Sequence, residues 1–193
     1  MAVAAEPQIA LVLGGARSGK STFAEQLATR LGEPVLFIAT ASAIDGEMAE
    51  RIARHRAARP GSWRSVEAPM GVGPAIREHG AGASTVLIDC LTLLVSNCLV
   101  GPEHDRMSED PDRDAIEAQL NDELAGLLSA AADLGLQLVV VSNEVGMGVV
   151  PAYPLGRVYR DLLGRANQRL AELAQVVYLL VAGIAIDIKR LDS

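Results

Sequence analysis

Ile9-Ala10-Leu11-Val12-Leu13-Gly14-Gly15-Ala16-Arg17-Ser18-Gly19-Lys20-Ser21 runs from five apolar residues straight into the pattern G-x-x-x-x-G-K-[ST]. The apolar run reads as a buried strand. Phe23, Leu27 and Leu31 on one stripe, with Gly32 as a stop, read as the helix that follows. A strand, a glycine-rich turn and a helix in that order are the context in which this pattern grips a nucleoside triphosphate. Backbone N–H groups across Gly14, Gly15, Ala16, Arg17, Ser18 and Gly19 converge on the phosphates, and Lys20 reaches the β and γ oxygens. Ser21 can ligate Mg2+, and the helix points its positive N-terminus inward. The competing reading, a glycine-rich turn that binds nothing, has both flanking elements against it.

Outward from this stretch, apolar runs alternate with helical patterns. Strands are expected at about 8–13, 35–39, 85–89, 136–141 and 176–181, with a short extended piece from Trp63 to Val66. Helices are expected at 20–31, 45–58, 72–79, 91–99, 112–134 and 155–173. The segment from Gly101 to Pro111, rich in charge, Gly and Pro, has the composition of a loop, and Ser142 to Pro154 is a further loop. Ala182-Gly183 can turn the chain into a last strand, Ile184 to Ile188, antiparallel to its neighbour. Continuous apolar strands between helices mean a mostly parallel α/β sheet. The expected fold is a P-loop NTPase-type (RecA-like) three-layer sandwich with a C-terminal antiparallel hairpin, a single domain over residues 1–193.

Composition narrows the function classes. Half of the 193 residues are hydrophobic and only 3% are aromatic, so the core must be built from Ala, Leu, Val and Ile. A net charge of -7 argues against general nucleic-acid or anionic-membrane binding, which needs a basic face. Cys90 and Cys98 lack metal-ligand spacing and read as small buried apolar residues. With no signal-peptide pattern, a reduced cytoplasmic setting is expected. The longest apolar stretch, Val176 to Ile186, is broken by Gly183 and is too short to span a membrane.

Several residues could carry chemistry. Asp89 ends an apolar strand at the sheet edge where such folds bind ligands. A carboxylate there holds Mg2+ in a Walker-B-like placement, caps the next helix, or does both. As a helix, Asp45 to Arg59 puts Met48, Ile52 and His55 on one stripe with Arg51 and Arg59 a turn either side. Guanidinium groups disfavour imidazolium and attract phosphate, which keeps a neutral ring able to attack phosphorus. Packing or simple phosphate contact remains the alternative for His55. Arg157, Arg160, Arg165 and Arg169 share one helix, as a phosphate clamp or as a solvated face paired with Asp161 and Glu172. Ser142 to Gly148 follows a strand's C-terminal end, where Gly146 and Gly148 permit close backbone approach to a ligand, or simply form a connecting loop. His79 and His104 receive no role.

Together, the phosphate loop, Ile38-Ala39-Thr40-Ala41, Glu47-Met48 through Arg51-Ile52 to His55-Arg56 and Arg59-Pro60, Trp63, Asn143-Glu144-Val145-Gly146-Met147-Gly148 and Gly164-Arg165-Ala166-Asn167-Gln168-Arg169-Leu170 resemble one family. The chain looks like the bifunctional adenosylcobinamide kinase/adenosylcobinamide-phosphate guanylyltransferases of cobalamin biosynthesis, from about residue 8 onward. The resemblance implies phosphorylation of the aminopropanol hydroxyl of adenosylcobinamide, then transfer of GMP from GTP through a guanylylated histidine to give adenosyl-GDP-cobinamide. It implies that His55 carries GMP and that Gly14 to Ser21 bind the phosphates, with Lys20 catalytic. Further nucleotide contacts are implied at Ala39, Thr40, Ala41, Arg56, Ala57, Ala58, Arg59, Glu67 and Asp89. GTP and ATP are the implied substrates, Mg2+ the ion on Ser21 and Asp89, and a homotrimer the assembly.

In this reading the neutral imidazole attacks the α-phosphorus, pyrophosphate leaves, and nearby cations stabilise the transferring group. Glu67 can accept two hydrogen bonds from guanine or ribose, although an exposed surface carboxylate is its simpler explanation. A GTP bound for γ-transfer need not present its α-phosphorus to His55, so the helix over 45–58 is expected to shift when guanine nucleotide binds. Two rivals stand. A plain P-loop kinase would transfer γ-phosphate and form no covalent nucleotide. A nucleotide-dependent switch would hydrolyse slowly with a protein partner and ignore corrinoids.

Overall fold

The computed structural model describes residues 8–41, 60–101 and 112–191. Seven strands form one sheet: β1 (Ile9–Gly14), β2 (Val35–Ala39), β3 (Arg64–Glu67), β4 (Thr85–Asp89), β5 (Gln137–Val141), β6 (Val176–Val181) and β7 (Ile184–Asp187). Their spatial order is β3-β2-β4-β5-β1-β6-β7, and every pairing is parallel except β6 with β7. The described helices are α1 (Lys20–Leu31), α2 (Val72–His79), α3 (Leu91–Leu99), α4 (Arg113–Asp133) and α5 (Pro154–Leu173), with a 3-10 turn at Lys189–Leu191. These elements agree with the sequence expectations to within one or two residues at their ends. The expected helix over 45–58 and the stretch 102–111 lie outside the described residues.

The two-residue period of each strand divides the core. Leu11, Leu36, Ile38, Val86, Ile88, Leu138 and Val140 face one side, where they pack with α2, α3, α4 and α5. Ala10, Val12, Val35, Phe37, Leu87, Val139 and Val141 face the other, against Ala24, Leu27 and Ala28 of α1 and Trp63. Each fully buried aliphatic side chain contributes about 1.5–3 kcal/mol, so a core almost without aromatics suffices. Trp63 is anchored at its polar end, its indole N–H donating to Glu33 Oε1 at 2.9 Å.

The α2–α4 pair is the closest helix contact. Glu123 on α4 caps α2, its carboxylate accepting from Gly71 N at 2.7 Å and Val72 N at 3.1 Å. At the other end Arg77 donates to Asp133 Oδ2 at 2.9 Å. Between them the backbones nearly touch: a Cβ on Gly73 would lie 2.6 Å from the carbonyl carbon of Gly126. Buried Cys98 lies in this layer, its thiol pushed up to about 12 by burial first and then by the Glu123 carboxylate, so it is the packed apolar residue expected of it. Cys90 is only partly buried.

The two glycines predict an asymmetric pair of variants. In Gly73→Ala the new methyl meets backbone that cannot rotate away, and overpacking of about 1–3 kcal/mol should lower the melting temperature by several degrees. In Gly126→Ala the nearest atom is Gly73 Cα at 4.0 Å, so the gain in helix propensity, about 1 kcal/mol at most, should hold or raise it. Equal melting temperatures for the two variants would contradict this packing.

Candidate nucleotide site

The parallel register aligns the strand ends. Glu67 pairs with Ala39, Ala39 with Asp89, Asp89 with Val141, and Val141 with Val12. Glu67, Ala39 and Asp89 therefore form one row along the C-terminal edge of the sheet, and the phosphate loop leaves β1 just beyond it.

The loop is held from both sides. Gly14 lies against β6: a Cβ there would sit 2.6 Å from Leu180 O and 2.6 Å from Ser18 Oγ, so only glycine fits. Gly19, the cap residue of α1, has φ 95, a left-handed conformation suited to glycine, and no side chain caps the helix. Arg17 adopts φ 56, an uncommon choice for a residue with a side chain and one that concentrates at functional loops. The β6–β7 turn, with Ala182 at φ 51 and Gly183 at φ 82, has the two positive angles of a type I′ hairpin. Its Gly183 N–H donates to Ser18 O at 3.0 Å, tying the hairpin to the loop.

Lys20 is buried and its Nζ donates to Gly15 O at 2.6 Å, so the ammonium folds back across the loop. Burial pulls its pKa below the ordinary value, while Cys90 and the Asp89 carboxylate act in the opposite direction. The buried hydroxyl of Ser18 has no hydrogen-bond partner, an orphaned polar group that a phosphate oxygen suits. A serine hydroxyl at Ser21 and a carboxylate at Asp89 are hard oxygen donors of the kind Mg2+ prefers. No cluster of three or more His, Cys, Asp or Glu occurs among the described residues.

Thr40 is fully buried behind this edge. Its hydroxyl donates to Cys90 O at 2.7 Å and accepts from Cys90 N at 2.8 Å, and its own N–H donates to Asp89 O at 3.2 Å. Asn97 on α3 donates to Thr40 O at 2.9 Å. These bonds fix the backbone on either side of Asp89. The cap position of α3 falls to Cys90, without a side-chain bond. Burial, followed by the Asp89 carboxylate, pushes the Cys90 thiol up. Ala41 follows at the end of the same described segment. Glu67 is exposed at the end of β3.

The loop after β5 lies beside the phosphate loop: Ser142 N donates to Val12 O at 2.9 Å and Glu144 N to Gly14 O at 3.2 Å. Buried Asn167 of α5 accepts from Ser142 Oγ at 2.7 Å and donates to Asn143 O at 3.1 Å. Asn143 N donates to Thr92 Oγ1 at 2.8 Å. The α5 arginines hydrogen-bond to groups other than Asp161 and Glu172, although the Asp161 carboxylate adds a weaker attraction to Arg165. Arg157 donates to Pro151 O and Ala152 O, Arg160 to Gly146 O at 2.7 Å, Arg165 to Glu117 Oε2 and Arg169 to Asn121 Oδ1. Two of them fasten the β5–α5 loop and two join α5 to α4. The structure thus gathers Gly14 to Ser21, Ala39, Thr40, Glu67 and Asp89 at one sheet edge. His55, Arg56, Ala57, Ala58 and Arg59 lie outside the described residues. Sequence reasoning placed Gly183 in the hairpin turn but not against the phosphate loop, and it overlooked Asn97, because neither contact has a signal until the strand order is known.

The family model for cobinamide kinase / cobinamide phosphate guanyltransferase matches residues 10–188. The chain is 42% identical over 179 residues to the bifunctional adenosylcobalamin biosynthesis protein CobP of Pseudomonas aeruginosa, covering 93% of this chain and 96% of that protein. It is 42% identical over 179 residues to the bifunctional adenosylcobalamin biosynthesis protein CobU of Escherichia coli, with coverage of 93% and 98%. For CobU of Salmonella typhimurium the identity is 43% over 183 residues, with the same coverage. Among solved structures the RadB recombinase shares the fold, with a TM-score of 0.51 at 17% identity over 89% of this chain and 73% of that one. With 179 residues of this family's pattern set around its phosphate loop, the chain belongs to the cobinamide kinase / cobinamide phosphate guanyltransferase family.

Proposed function

We propose that this protein phosphorylates the aminopropanol hydroxyl of adenosylcobinamide with a nucleoside triphosphate, GTP or ATP. It then transfers GMP from GTP, through a guanylylated His55, to give adenosyl-GDP-cobinamide. The observation that carries the reading is the phosphate loop with Lys20 beside Asp89, in a chain of this family. The orphaned Ser18 hydroxyl, the uncapped start of α1 and the Lys20 ammonium together suit a triphosphate.

In the kinase step the Lys20 ammonium swings from Gly15 O to the β and γ oxygens, where its charge offsets that developing on the transferred group. The buried ammonium has already given up part of its water, so this exchange needs less further desolvation than an exposed lysine would. Ser21 and Asp89 would hold Mg2+, which neutralises phosphate charge when bound. In the second step His55 Nε2 or Nδ1 attacks the α-phosphorus of GTP and pyrophosphate leaves. The phosphate made in the first step then displaces histidine and takes the GMP. Arg56 and Arg59 supply positive charge near the transferring group, and Glu67, Ala39, Thr40 and Ala41 belong to the nucleotide's surroundings, Thr40 from behind through the backbone of Cys90.

A cytoplasmic homotrimer completes the reading. No helix among the described residues is long and apolar enough to cross a membrane. Val181, Ile184 and Ile186 are exposed on one face of the terminal hairpin, a surface suited to contact between copies.

The deciding experiment incubates the protein with GTP labelled at the α-phosphate, with Mg2+ and no corrinoid. We predict an acid-labile, alkali-stable covalent label that is absent from His55→Ala. Transfer of γ-phosphate to adenosylcobinamide without any such label would reduce the protein to a kinase. We also predict that Lys20→Ala lowers corrinoid phosphorylation by about 10²–10³-fold and that Asp89→Asn raises the Mg2+ concentration for half-maximal rate at least several-fold. Unchanged rates in both variants would remove the phosphate loop from the reaction.

A further inference from the structure

A cavity of about 320 Å3 opens between the β5–α5 loop and α5, lined on its polar walls by Glu144, Arg160, Asp161, Arg165 and Gln168. It adjoins the nucleotide site directly, since the N–H of Glu144 donates to Gly14 O. Gly164 also lines it. A glycine within a helix costs helix stability and is ordinarily repaid by packing. That account holds for Gly156 of the same helix, where a Cβ would lie 2.7 Å from the Tyr153 ring and 2.8 Å from Pro151. It fails for Gly164, where a Cβ would meet no atom of the described residues within 4 Å. Among the described residues no packing requires that position to be small, and the space a side chain would take there belongs to the cavity.

The lining has no net charge, with Glu144 and Asp161 against Arg160 and Arg165. Three of these four groups already have partners: Glu144 Oε1 accepts from Gly146 N at 2.5 Å, Arg160 donates to Gly146 O and Arg165 to Glu117. An anionic phosphate would find no unopposed positive field here. A neutral ligand with both donors and acceptors, such as a primary amide, matches carboxylate, guanidinium and carboxamide walls. The volume stands at the low end of the ~300–1,000 Å3 usual for small-molecule sites, enough for a side arm but not for a macrocycle.

We propose that this cavity receives an amide-bearing arm of the corrinoid acceptor, and that Gly164 is a specificity-determining position kept without a side chain to admit it. The proposal rests on the function proposed above and adds where the acceptor docks. The macrocycle then lies outside, over Val145 and the exposed Met147 and Val149, and the aminopropanol hydroxyl points from the Glu144 wall toward the phosphate loop. Glu144, Asp161, Arg165 and Gln168 position the acceptor and take no part in bond making.

The test is equilibrium dialysis of adenosylcobinamide against wild type, Gly164→Ala, Gly164→Leu and Gln168→Ala, with covalent labelling by α-labelled GTP measured in parallel without corrinoid. Gly164→Leu should raise the corrinoid Kd at least tenfold, Gly164→Ala less, and Gln168→Ala several-fold, while GTP labelling changes less than twofold in each. Gln168 is exposed, so its variant decides the matter if Gly164→Leu does not fold. Corrinoid binding within twofold of wild type in Gly164→Leu and Gln168→Ala would overturn the proposal. A wild type that labels with GTP but retains no corrinoid would overturn it too. A wild type that retains corrinoid but takes no label would sink only the histidine step, and the Kd comparison would still decide the cavity.

Discussion

The parallel register of β1 with its two neighbours is the constraint on which the site depends. Backbone hydrogen bonds align Val12 with Val141 and Tyr178, and this fixes what stands beside the phosphate loop where β1 ends. On one side comes the loop after β5, on the other the β6–β7 hairpin. A slip of two residues in either pairing would keep each side chain on its face. It would also move Leu180 from behind Gly14, Gly183 from Ser18, and Glu144 from Gly14. The core tolerates exchange of one aliphatic residue for another, but the nucleotide site tolerates no change of register.

Most of the site's polar structure is made by backbone and by small side chains. Thr40, Ser142, Thr92 and Asn167 each hold main-chain atoms or one another across elements. Buried groups of this size are satisfied at modest entropic cost, since they have few rotamers to lose. Long charged side chains fasten the periphery: Glu123 caps α2, and Arg157 and Arg160 hold the β5–α5 loop. Lys20 is the exception, a cation drawn inside where burial disfavours its charge. A buried cation set against a loop of backbone dipoles is suited to exchange a carbonyl for phosphate oxygens.

The sheet was legible in the sequence because parallel strands buried on both faces read as uninterrupted apolar runs, and every described strand and helix was expected. The phosphate loop was legible for the same reason, its glycines lying between a clear strand and a clear helix. Asp89 and Glu67 could be placed at strand ends, but their place in one row, on either side of Ala39, follows only from the order β3-β2-β4, which no local pattern encodes. The α5 arginines show the limit most clearly. Spacing on one helix suggested pairing with Asp161 and Glu172, whereas the partners came from α4 and from the β5–α5 loop. Gly164 stood in the sequence only as part of a motif, because a helix glycine acquires a role of its own only through the space next to it.

The strand order also sets a timetable for the chain as it is made. β1 is translated first among the strands, yet both of its partners are β5 and β6, from the last third of the sequence. β2 and β4 can pair long before β1 has a place to go. At ~5–20 residues per second, roughly 6–25 seconds pass in which an apolar strand and its glycine-rich turn are synthesised but lack the neighbouring strand β5. The last strands to emerge both bury β1 and, through Gly183, brace its loop. Nucleotide can thus reward only a chain in which β5, β6 and the hairpin have already been made, acting as a ligand for the assembled sheet and never as a template for its first strands.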